Sequence, residues 1–159
     1  MSATSQPTTP RTTRYGETAA QKVAVVFGAV FLLVGIAGFI PGLTTGLDTL
    51  LFAGHESGAM LLGIFQVSIL HNIVHILYGL AGLGLAATHA GARNYLIWGG
   101  AVYAVLWLYG LIIADDAVAN FVPVNLADDW LHFGLAVAMI LLGVFLGRRV
   151  TTSSARRTA

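Results

Sequence analysis

The sequence predicts an all-α, four-helix transmembrane bundle with both termini on the cytoplasmic side, and three observations predict it. The chain is 57% hydrophobic and only 9% charged, where a soluble domain carries about a quarter charged residues. Its apolar residues gather in four segments, at about 21–40, 69–89, 94–114 and 126–147, each close to the roughly 20 residues that cross a hydrocarbon core. Its charges are sorted by sign. Arg11, Arg14 and Lys22 stand at the head of the first segment, Arg93 between the second and third, and Arg148, Arg149, Arg156 and Arg157 after the fourth. Asp48 and Glu56 fall between the first and second segments, and Asp115, Asp116, Asp128 and Asp129 around the junction of the third and fourth. Only Glu17 breaks the rule. Lys and Arg are retained inside, so the pattern reads as a multi-pass protein of the cell membrane, N-in and C-in.

Most of the 159 residues are consumed by the 21–147 membrane domain. Residues 1–20, rich in Ser, Thr and Pro, and the basic stretch 148–159 lack an apolar period and read as disordered cytoplasmic tails. The basic tails set topology and offer no case for nucleic acid; the lipid bilayer is the expected partner. With no cysteine, disulfides, thiolate metal sites and cysteine catalysis are excluded.

The first span runs to Ile40 and stops at Pro41-Gly42. The second has two readings. From Gly58 to Ala87 nothing is charged, which as one helix would measure about 45 Å at 1.5 Å per residue, longer than a core of about 30 Å. Alternatively Ser68 caps a helix over 69–89, and 43–67 forms an apolar elbow at the outer surface, built of one or two short interfacial helices. The second reading is preferred. The third span covers 94–114. Asn125 is the expected N-cap of the fourth, with Asp128 and Asp129 in the first turn, where the helix dipole favours negative charge.

The glycines fall at helical spacing, as at Gly28, Gly35 and Gly38, at Gly79 and Gly82, and at Gly143 and Gly147. In lipid, small residues supply close backbone packing, which suits a compact bundle and equally a homo-oligomer or a membrane-protein partner. Phe39-Ile40-Pro41 and Phe121-Val122-Pro123 form a faint internal echo.

The residues most in need of explanation are polar. Gln66, His71, Asn72 and His75 open the second span, and Asn125, Asp128, Asp129 and His132 open the fourth. Positions 71, 75, 79, 82 and 86 share one helical stripe, as do 132, 136, 139, 143 and 147. If both helices start at the outer surface, these side chains reach similar depth and form one cluster. The leading reading is structural, polar groups tying helices together. The alternative is a ligand site in which His71, His75, His132 and Asp128 hold a transition metal, or the histidines hold a haem. A bare H-x-x-x-H pair is common by chance, and no H-E-x-x-H motif is present. A proton pathway lacks a relay in the inner half beyond Tyr78 and Tyr103, and a pH sensor lacks an output. Ser57 and Ser68 have no triad partners, and His55 and Glu56 read as loop residues.

Two stretches carry a family resemblance. The string from Phe52 through Gly54-His55-Glu56-Ser57-Gly58 to Phe65-Gln66-Val67-Ser68, continuing to His71-Asn72-Ile73-Val74-His75, forms the first. Asn120-Phe121-Val122-Pro123-Val124-Asn125 with Ala127-Asp128-Asp129-Trp130-Leu131-His132 forms the second. Over 23–147 the chain resembles a bacterial family of small four-helix membrane proteins, domain of unknown function 4383. The resemblance implies an inner-membrane, four-span protein and supplies no activity, cofactor or catalytic residue. The expectation is therefore a non-enzymatic structural or accessory membrane protein.

Overall fold

The computed structural model describes residues 14–113 and 119–148. The expected tails before 14 and after 148, and the outer acids Asp115 and Asp116, lie outside the described residues.

The chain is mostly helical. Helix α1 (Ala19–Ala37) opens with a reciprocal capping box, in which the Thr18 hydroxyl accepts from Gln21 N–H and the Gln21 side chain accepts from Thr18 N–H. Helix α2 (Ile69–Leu85) is capped by Ser68. Helix α3 (His89–Ile112) is capped by Thr88, and α4 (Leu126–Leu146) by Asn125. The break between α2 and α3 therefore falls earlier than the 89–94 gap expected from the apolar run. The Thr88 hydroxyl accepts from Gly91 N–H, satisfying a leading donor of α3 and setting that boundary.

The elbow is not helical apart from a single 3-10 turn at Leu47–Thr49. It is instead a small antiparallel sheet of β1 (Thr44–Thr45), β2 (Met60–Leu61) and β3 (Phe65–Gln66), in the order β1-β2-β3. Glycines explain the departure. Gly46, Gly54 and Gly63 adopt positive φ, which helices do not tolerate, and the sheet gives their neighbours' backbone groups partners. Ala59, Leu61 and Val67 form the core of the elbow, packed against Val34 and Ala37 at the end of α1.

The helices pair as two hairpins, α1 with α2 and α3 with α4, and α1 also packs on α3. Glycine sets the distance within the first hairpin. A Cβ at Gly79 would lie 2.5 Å from Leu32 N, and one at Gly28 would lie 2.9 Å from Gly79 O. Small and polar residues such as Gln21, Ala24, Gly28 and Asn72 share the interior with Phe31, Leu96 and Met139, whereas Trp98 is 70% exposed and Leu33 65%. So many large apolar side chains turned outward are unlike a soluble helical protein, where such residues turn mainly inward. Three of the helices, α1, α3 and α4, are long and apolar enough to cross a membrane. Helix α2, at 17 residues, spans about 26 Å.

Candidate functional site: a latch and a histidine box at one end

The chain enters α2 and α4 at the same end of the molecule, so the elbow and the segment before α4 become neighbours. At the join sits Asp128, 2% exposed. One carboxylate oxygen accepts from Asn125 N–H at 3.1 Å and from Gln66 N–H at 3.2 Å. The Asn125 side chain accepts from Ala127 and Asp128 N–H and donates to the Ile64 carbonyl at 2.9 Å. Gly54 N–H donates to the Phe121 carbonyl at 2.7 Å. Capping of α4 and docking of the elbow thus use the same groups.

The elbow is rigid on its own side of this join. Gln66 Nε2 donates to the carbonyls of His55 and Ser57, both at 2.8 Å. Ser57 is fully buried; its hydroxyl donates to the Val67 carbonyl at 2.6 Å and accepts from Leu51 N–H. The string from Gly54 to Ser57 is specified because its backbone is held from both sides, and Ser57 serves as a staple.

Deeper along the helices lies the histidine box. His71 and His75 lie one turn apart on α2 with ring centroids 4.5 Å apart, and Tyr103 of α3 lies 5.4 Å from His132 of α4. Phe31 of α1 is at the centre, stacked on His75 at 5.7 Å and on Tyr103 at 5.3 Å. One aromatic knot therefore draws on all four helices. The His71 ring also engages the backbone of Pro123, connecting the box to the segment above it. Nδ1 of His71 and Nδ1 of His132 have no hydrogen-bond partner among the described residues. A cavity of about 180 Å³ adjoins them, walled by His71, His75, Tyr103 and His132, with Val74 and Phe121 at its exposed edge.

The eight polar residues singled out in the sequence do not form one cluster. Gln66, Asn125 and Asp128 make the latch, and His71, His75 and His132 make the box. Asn72 instead packs directly on Gly38 of α1, and Asp129 lies against Gly110 of α3. The four candidate metal ligands are divided accordingly, since Asp128 is engaged by the elbow. Among the described residues, no group of three or more His, Asp or Glu is placed to hold a metal ion. A cavity of about 150 Å³ takes one benzene ring, so a haem would require the helices to part.

Four contributors were not marked by the sequence pattern. Phe31 looked like an ordinary apolar-stripe residue, and Tyr103, expected with Tyr78 in the inner half, lies against His132 instead. Gln21 is buried and donates to the Ala86 and Ala87 carbonyls past the end of α2. Its signal was present, because Thr18-x-x-Gln21 is the capping-box spacing. His89 bridges Thr18 Oγ1 at 3.1 Å and the Gly147 carbonyl at 3.3 Å, holding the start of α1 to the end of α4.

No curated protein and no solved structure matches this chain. A match to the domain of unknown function 4383 covers residues 21–145, which takes in both hairpins, the elbow and the whole of the latch and the histidine box. The chain belongs to the DUF4383 family.

Proposed function

We propose that the chain is a four-span protein of the cell membrane, with both termini cytoplasmic, whose role is structural or accessory rather than catalytic. In this reading the latch locks the outer ends of the two helical hairpins together. The outward-facing apolar residues support the membrane setting: every helix exposes large apolar side chains, among them Leu33, Leu77, Val105 and Leu141. The charge sorting supports the orientation. Helix α2, a few Å shorter than a hydrocarbon core of about 30 Å, completes the crossing with the elbow above it. Many of the elbow's backbone groups are paired, in the sheet and in the turns around it, as irregular chain near lipid requires.

The observation that carries the structural role is Asp128, whose carboxylate serves the elbow and the fourth helix at once. In the box, the three imidazoles and Phe31 pack the hairpins against each other directly beneath that join. His71→Ala and His132→Ala are expected to lower the melting temperature of the detergent-solubilised protein by several degrees, since each removes a buried ring at the junction of four helices. Neither is expected to change the metal content measured by elemental mass spectrometry. Near-stoichiometric zinc, iron or copper that either substitution strips would overturn the structural reading in favour of a ligand site. Topology has a separate check. A reporter fused after Arg149 is expected to be active only in the cytoplasm, and periplasmic activity would rule out the four-span arrangement.

A further inference from the structure

At the end of the molecule remote from the latch, a cavity of about 350 Å³ opens between the start of α3 and the end of α4. It is lined by His89, Ala90, Arg93, Asn94, Gly147 and Arg148, with no carboxylate among them. The stem of Arg93 lies directly across Gly147, where a Cβ would find no room. Arg148 is held by its own helix, its guanidinium 5.6 Å from the centre of the Phe145 ring. Both arginines are exposed at the rim.

We propose that this cavity binds a phosphate group: the headgroup of an anionic phospholipid of the cytoplasmic leaflet, or free phosphate. The guanidinium fork matches phosphate oxygens two at a time, and two forks flank one opening. The end of α4 would oppose an anion, but His89 covers the Gly147 carbonyl and Arg148 follows it. His89 is a wall of the site, because both ring nitrogens are already engaged. Asn94 offers an amide donor beside the arginines. The lipid source rests on the cytoplasmic placement proposed above; free phosphate does not need it.

The test uses the full chain in detergent and the double variant Arg93→Gln, Arg148→Gln. Native mass spectrometry follows retention of phosphatidylglycerol against phosphatidylcholine, and calorimetry follows inorganic phosphate alone. Preferential retention of phosphatidylglycerol, weakened about 30-fold in the double variant and unchanged in Lys22→Gln, establishes a lipid headgroup site. Binding of inorganic phosphate that the double variant loses, without lipid preference, establishes a free-phosphate site. If the double variant matches the wild type in both assays, the proposal is overturned. The melting temperature of the double variant is expected to stay unchanged, because both side chains are at the surface. The reporter after Arg149 separates the readings, since phosphatidylglycerol retention with an outward-facing terminus would keep the site and discard the topology.

Discussion

Gly79→Leu is expected to yield no folded monodisperse protein, the largest effect expected of a single substitution in this chain. Gly79 sits where α1 and α2 touch, and its missing side chain is what lets them. A Cβ there would lie 2.5 Å from Leu32 N, 2.7 Å from Gly28 O and 2.8 Å from Leu32 Cα. All three are backbone atoms of a helix, so no rotamer change can clear the space. Two effects oppose each other in even the mildest change, to alanine. Helix propensity favours alanine by up to about 1 kcal/mol, while overpacking against a rigid neighbour costs about 1–3 kcal/mol or more. The clash wins for alanine, and leucine forces the hairpin apart. Gly84 is the control. It lies on the same helix with nothing within 4 Å of its Cβ position, so Gly84→Ala is expected to hold or slightly raise the melting temperature. Size-exclusion profiles and melting curves of the variants check this, and a Gly79→Leu protein as stable as the wild type would refute the close-packed hairpin.

Asp128→Ala is expected to destabilise by about 2–4 kcal/mol. Hydrogen bonds are each worth about 0.5–1.5 kcal/mol net, and about 1.5–3 kcal/mol where the acceptor is ionised, and Asp128 makes two, to Asn125 N–H and Gln66 N–H. Part of that gain is already offset by the expense of burying a carboxylate, which keeps the net loss below the sum. Asp128→Asn distinguishes hydrogen bonding from charge. Its amide oxygen can accept from both N–H groups, so it is expected to recover more than half of the loss. Limited proteolysis gives a local readout. In the alanine variant, cleavage within 47–66 should precede global unfolding; if the elbow stays as resistant as in the wild type, Asp128 does not hold it.

Features governed by local rules were open to reading in the sequence. Ser68 and Asn125 were legible as caps because a short polar side chain precedes an apolar run, and their side chains do accept from the first-turn N–H groups. Family membership was legible because the strings around Ser57 and Asp128 are long. Features that depend on pairing across the chain stayed hidden. The elbow's sheet joins Thr44 to Leu61 and Leu61 to Phe65, in strands of two residues that leave no alternation to read. The separation of Asn72 and Asp129 from the histidines was hidden for a related reason. Helical spacing shows which residues share a face, but α2 presents Asn72 to α1 at Gly38, and α4 presents Asp129 to α3 at Gly110. Expected depth along the bundle was a poor guide to neighbourhood, because residues at one level can face different helices.

The latch also has a place in the order of biogenesis. Its two halves, Gln66 and Asp128, are 62 residues apart, so synthesis from the N-terminus completes the first hairpin and the elbow long before Asp128 is made. Until α4 emerges, the elbow has no partner for Gln66 N–H and Gly54 N–H. Closure of the latch therefore waits until the start of the fourth helix has been made. A chain truncated before α4 would carry an undocked elbow, a feature by which a quality-control protease could tell it from the finished protein.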